Sequence, residues 1–105
     1  MATKLALLQG QEQVIADIKE LVDNGKPLGY LFKDPHRISA EKDFLAETPQ
    51  DRKVHVTLAP WILLSADNEI LVPKNQVVTI VEPIDSVKEM YSEKLNGSNG
   101  ISTDE

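Results

Sequence analysis

Residues 13–32, QVIADIKELVDNGKPLGYLF, decide how the rest of the chain is read. The first ten of them carry two apolar patterns at once. Val14, Ala16, Ile18 and Val22 fall on one face of a strand, with Asp17 and Lys19 on the other. Ile15, Ile18, Leu21 and Val22 fit a helical stripe equally well, so periodicity leaves both open. The next residues favour the strand. Asp23-Asn24-Gly25-Lys26 holds the Asn-Gly pair that a tight hairpin turn needs, because both central positions take φ > 0. Beyond the turn, Leu28, Tyr30 and Phe32 alternate with Gly29, Leu31 and Lys33. Alternating runs on both sides of an Asn-Gly turn predict a β-hairpin.

The same step of two extends outward. Leu5 to Leu8 is a short apolar run ended by Gly10, which predicts a first strand and a tight turn. Downstream, Asp34-Pro35 predicts a turn or bend, with Arg37-Ile38-Ser39 able to continue the strand past it. Residues 40–53 are polar, contain Pro49 and predict a connecting loop with room for one helical turn. Val54, Val56 and Leu58 alternate with His55 and Thr57 before Pro60 interrupts, and Trp61 to Leu64 follows. After a turn at residues 65–68, the apolar runs 70–72 and 76–81 flank Pro73-Lys74-Asn75 and predict a second hairpin. Past Pro83 the period becomes helical, with Val87, Met90, Tyr91 and Leu95 on one face. Ser86 to Glu89 has a capping-box pattern, and Asn96-Gly97 is a stop signal. The expected architecture is mainly β: a small, strongly bent antiparallel barrel of about five strands over residues 1–83. A C-terminal amphipathic helix, 84–97, packs on that barrel or on a neighbouring subunit, and 98–105 is a disordered tail.

At 105 residues the chain has room for one small core, and 41% hydrophobic with 27% charged residues suits a folded domain. It contains no Cys, which excludes disulfides, thiolate metal sites, iron–sulfur centres and cysteine nucleophiles. The longest apolar runs, such as Trp61 to Leu64, are too short to span a bilayer, and the N-terminus lacks a secretory pattern. A cytoplasmic protein with no membrane partner is the expectation. Eleven Lys and Arg against 17 Asp and Glu give a net charge of −6, which argues against sequence-blind coating of nucleic acid. Half of the excess lies outside residues 1–83, which carry 9 basic against 12 acidic groups, a net −3.

Catalysis has little to stand on. His36 and His55 lack metal-ligand spacing, His36 being explained as a polar turn residue and His55 as an outward strand residue. No Gly-x-Ser-x-Gly elbow, P-loop or dinucleotide pattern occurs, and the carboxylates are scattered. The chain is not expected to be an enzyme, and no cofactor or metal is expected. Tyr30 and Phe32 share a strand face as base-stacking residues do, but core packing explains them equally well. Trp61 is expected in the core or at an interface, and Tyr91 against the barrel.

Taken together, the strand order and turns resemble the Sm-like family, the small barrels to which Sm, LSm and Hfq proteins belong. Leu5 to Leu8, Gly10 and Val14 to Ile18 follow the first Sm motif, with Ala16 where Gly is usual and one extra turn residue. Residues 70–80, ILVPKNQVVTI, resemble the second motif: apolar strand, tight basic turn, apolar strand. Lys74 stands in the turn where the Hfq branch has Lys-His. The chain departs from the family in three places. Asp23 to Lys26 lacks the full spacing of the RNA-reading loop, the second turn lacks Arg-Gly, and the helix follows the barrel. The small size and trailing helix look most like the Sm-like proteins of phages, including those infecting cyanobacteria, which would place the protein in the host cytoplasm.

The resemblance implies a homo-oligomeric ring of about five to seven copies, and an open barrel's unpaired edges give an independent reason to expect one. It further implies single-stranded RNA as a partner, bound at loops repeated around the pore. The candidate RNA-binding residues are Asn24, Lys26, Lys74 and Asn75. Lys74 and Lys26 would meet phosphates, and the two asparagines base edges or sugar. Turn formation alone also accounts for Asn24 and Lys26, and solubility for Lys74. A ring that serves as an assembly or protein-interaction module without RNA is the alternative.

Overall fold

A computed structural model describes residues 2–42 and 54–102, with side chains described over 2–40 and 56–96. The elements in chain order are β1 (Ala2–Leu8), β2 (Gln13–Asp23), β3 (Lys26–Lys42), β4 (Val54–Pro60), β5 (Glu69–Pro73), a single 3-10 turn (Lys74–Gln76), β6 (Val77–Val81) and α1 (Asp85–Ser102). The strands form one antiparallel sheet in the order β4-β3-β2-β1-β6, with β5 also paired to β3. The protein is thus mainly β with one C-terminal helix. The sheet has six strands rather than about five, and among the described residues it stays open rather than closing into a barrel.

The Asn-Gly turn does what its chemistry requires. Asn24 and Gly25 take φ of 54° and 78°, and Asp23 pairs with Lys26 across the hairpin. Positive φ at both central positions matches the twist of the flanking strands, which settles residues 13–22 as strand rather than helix.

β3 runs unbroken for 17 residues through Asp34-Pro35, where the sequence predicts a turn or bend. The pairing explains why. Ile15 faces His36 and Asp17 faces Lys33, so Asp34 and Pro35 together oppose Ala16 alone. That two-against-one arrangement is a β-bulge, which tolerates Pro and bends the strand without ending it. Asp34 adopts φ of 51°, donates its N–H to the Asn68 carbonyl at 2.6 Å, and is followed by Pro35, whose carbonyl accepts from Trp61 N–H at 3.0 Å. The bend divides the far edge of β3 between two partners. β5 pairs with Gly29 to Lys33 and β4 with His36 to Lys42.

The predicted second hairpin does not form. β5 pairs with β3, while β6 crosses to pair with β1, Leu5 facing Val81 and Leu8 facing Val77. The linking residues make a 3-10 turn and none of them has positive φ, so the chain is redirected instead of reversed. Gly29 permits this close passage, because a Cβ there would stand 2.5 Å from the Val72 carbonyl oxygen.

Two apolar clusters lie on opposite faces of the sheet. Ala6, Leu8, Val14, Ala16, Ile18, Phe32 and Val72 fill one. Ile15, Leu58, Val87 and Tyr91 fill the other, so α1 packs on its own sheet. β2 is therefore buried on both faces at Val14, Ile15 and Ala16, and loses polar alternation there. Burying a side chain the size of Ile15 or Phe32 contributes about 1.5–3 kcal/mol. The helix begins at Asp85, a carboxylate suited to the positive end of the helix, so Ser86 lies inside the first turn instead of capping it. It also continues past Asn96-Gly97 to Ser102, through Gly97 and Gly100, each of which costs about 1 kcal/mol in a helix. Residues 40–42, expected to open a loop, belong to β3 instead, and the rest of that expected loop, 43–53, lies with 103–105 outside the described residues.

Candidate functional site

The four residues singled out from sequence are all exposed. Asn24 occupies a left-handed turn position, which by itself accounts for an asparagine there. Lys26 opens β3, three residues before Gly29. Lys74 and Asn75 sit in the 3-10 turn, whose backbone passes close to that glycine: a Cβ on Gly29 would lie 3.4 Å from the Lys74 nitrogen. Both loops are thus carried by the first part of β3. The 3-10 turn is tied on its other side to the β1–β2 turn. Gln9 N–H donates to the Gln76 carbonyl at 2.8 Å, and the Gln9 amide reaches the Asn75 carbonyl at 3.5 Å. Lys74 and Asn75 consequently project from an anchored support.

His36, expected as a polar turn residue, is buried and lies within β3 just past the bulge. Its Nδ1 lies 2.9 Å from the Asp34 carbonyl, which requires the hydrogen on that nitrogen, and its ring meets Tyr91 edge-on at 5.7 Å. Tyr91, 2% exposed, donates its hydroxyl to the carbonyls of Lys33 (3.2 Å) and Asp34 (3.0 Å). Burial, reinforced by the negative charges of Asp17 and Asp34, pushes the Tyr91 phenol well above its ordinary range. This group clamps α1 to the bulge of β3, and among the described residues no buried side-chain nitrogen or oxygen is left without a hydrogen-bond partner. The side chain of His55 lies outside the described residues.

Two concavities stand out among the described residues. The larger, about 510 Å³, is an open groove between α1 and the β1–β2 pair, lined by Thr3, Asp17, Lys88, Glu89 and Ser92. Thr3 already donates its hydroxyl to Asp17 at 2.8 Å. Among the described residues no cluster of His, Asp and Glu is arranged to hold a metal. The smaller, about 180 Å³, lies beside Trp61, between the β1–β2 turn and the end of β5. Sequence reasoning missed this second cavity. Its only local signal is a lone tryptophan, which by itself points equally to a core.

Apolar side chains also face solvent. Leu71 on β5 is 62% exposed, Val78 on β6 55%, and Leu64 in the loop after β4 96%. Among the described residues β5 pairs only with β3 and β6 only with β1, which leaves each with a free edge. Glu82, just after β6, forms ion pairs with Lys4 and with Lys88 (3.6 Å), and the Lys4 contact above all holds its carboxyl below the usual range. No helix among the described residues is long and apolar enough to cross a membrane.

A family described as "Family of unknown function (DUF6561)" matches residues 1–96, which take in all six strands and most of α1. The chain belongs to that family. No curated protein matches the sequence.

Proposed function

We propose that the protein is a homo-oligomeric Sm-like ring that binds single-stranded RNA at the loops carrying Lys74 and Lys26. The observation that carries this reading is the pair of strands flanking the 3-10 turn. β5 and β6 each leave one edge unpaired among the described residues, and each exposes a large apolar side chain, Leu71 and Val78. Unpaired edges of this kind invite pairing with another chain, and pairing one edge with the different edge of the next copy closes a ring when the rotation fits. Such a ring would repeat Lys74 around its opening, a local positive charge within an acidic protein. The phage-type identity suggested by the sequence belongs to the same reading.

Native mass spectrometry tests the assembly. The expected species contains about five to seven copies, and Val78→Lys should shift it toward monomer. Wild-type protein that stays monomeric at tens of micromolar removes the ring. Fluorescence anisotropy with short U-rich and A-rich RNA then tests the ligand. Lys74→Ala should weaken binding and flatten its salt dependence by about 0.7 in log–log slope for each phosphate left without its lysine. Binding unchanged by that substitution rejects the loop assignment. The net charge of −6 favours a second reading, a ring that assembles or recruits proteins without RNA. That reading predicts intact rings with no anisotropy change for either RNA.

A further inference from the structure

The cavity beside Trp61 combines a mixed lining, a small volume and walls held in place by the fold. Part of the lining is apolar, including Trp61, Leu71 and Val72, and part is polar, made by Gln9, Glu12 and Gln76. Its volume, about 180 Å³, falls below the about 300–1,000 Å³ typical of sites for drug-sized ligands, so it suits a single ring system. Its walls are also fixed in advance. The Trp61 backbone N–H is held by the Pro35 carbonyl at 3.0 Å, and its indole leans on the buried Phe32 ring at 6.0 Å with a 37° tilt. Elsewhere in the lining, Leu8 N–H donates to the Glu12 carbonyl at 2.8 Å and closes the β1–β2 turn. A pocket ordered before binding spares the ligand that entropic cost.

We propose that this cavity binds a guanine base, stacked against Trp61 and read along its Watson–Crick edge by the Glu12 carboxylate. A carboxylate offers two acceptors side by side. Guanine presents two adjacent donors there, N1–H and N2–H₂, whereas adenine, cytosine and uracil each present one donor beside acceptors. An arginine side chain would also stack on an indole and bridge to a carboxylate. The neighbouring charge decides against it. Pro73 and Gln76, both in the lining, bracket Lys74 in the chain, so the 3-10 turn that forms one end of the cavity also carries an exposed lysine. That cation would repel a guanidinium and attract the phosphate of a nucleotide. The proposal supplies a base-reading element for the RNA-binding reading and shares its ligand class, but it does not depend on ring assembly.

Trp61 is the sole tryptophan, so its emission reports on the site directly. The full-length protein is titrated with guanosine, GMP, AMP, CMP, UMP and N-acetyl-arginine amide. Saturable quenching by GMP, at least about tenfold tighter than by the other mononucleotides, is expected. Glu12→Gln should remove that preference while leaving the unliganded emission and circular dichroism unchanged. Lys74→Ala should weaken GMP but not guanosine. Equal, unsaturated quenching by all four mononucleotides overturns the proposal, as does a response to the arginine amide alone. Emission that shifts only with protein concentration overturns it too, by placing a neighbouring copy in the cavity. GMP binding without any oligonucleotide binding removes the RNA reading and leaves the pocket. Oligonucleotide binding with Trp61 silent does the reverse.

Discussion

Replacing Tyr91 with Phe removes one oxygen from the clamp between α1 and the β3 bulge and keeps the ring. The hydroxyl serves two carbonyls, Lys33 at 3.2 Å and Asp34 at 3.0 Å. A buried hydrogen bond contributes a net of about 0.5–1.5 kcal/mol, and an abandoned acceptor adds to the loss. Asp34 keeps its bond from His36 Nδ1 at 2.9 Å, which limits the damage there. Tyr91→Phe should therefore cost about 1–2 kcal/mol at pH 7. At about 4–8 °C per kcal/mol for a domain near this size, that is a readily measured fall in Tm. A pH series distinguishes the clamp from a packing defect. The folded pKa of Tyr91 is raised, so the contribution is complete below the unfolded value of about 10. Above that pH the unfolded chain releases its phenolic proton while the folded one retains it, and stability falls as pH rises toward the folded value. The phenylalanine variant has no such proton to release, so the gap between wild type and variant should narrow from about pH 10 upward. Urea melts followed by Trp61 emission and circular dichroism measure the gap. A difference under about 0.3 kcal/mol at pH 7, or a constant gap through the alkaline range, refutes the clamp.

Gly29→Ala places a Cβ against the Val72 carbonyl at 2.5 Å and should cost about 1–3 kcal/mol, because backbone cannot swing aside; denaturant midpoints measure it. Ile15→Ala, at a fully buried position between helix and sheet, should cost about 2–5 kcal/mol. Leu64→Ser, 96% exposed, should stay within about 0.5 kcal/mol of wild type in the same melts. Glu82 has a folded pKa below 4.5, so its support is present above that pH and fades as pH falls through the lowered value. Glu82→Gln should make stability less sensitive to acid as pH falls through the carboxylate range, and parallel acid curves for the two proteins would count against the Lys4 pairing.

Local chemistry is legible where one residue pair specifies one backbone shape. Asn24-Gly25 identifies the hairpin, and the apolar stripe of Val87, Met90, Tyr91 and Leu95 identifies the face α1 buries. Legibility ends where shape depends on a distant partner. Asp34-Pro35 becomes a bulge only because Ala16 alone stands opposite, and Pro73 to Asn75 becomes a crossing only because β3 and the β1–β2 turn hold it. The exposed loops carrying Lys74 and Lys26 are visible in sequence as turns. The Trp61 cavity is not, since its walls come from the β1–β2 turn, the end of β4 and the β5 turn, and no local spacing records their meeting.

The pairing of β6 with β1 also has a kinetic consequence. β2 and β3 meet through a tight turn and can zip from it, at little cost in chain entropy. β6 must find β1 across nearly the whole chain, Val81 against Leu5, before any of its ladder bonds form. Ordering by sequence separation puts β6 last to dock during folding and first to open afterwards. Pulsed hydrogen exchange should then protect β2–β3 amides earliest and β6 amides latest. Late docking also leaves β1 with a vacant edge for the longest interval, and that edge is where a newly made chain is most open to pairing with the wrong copy.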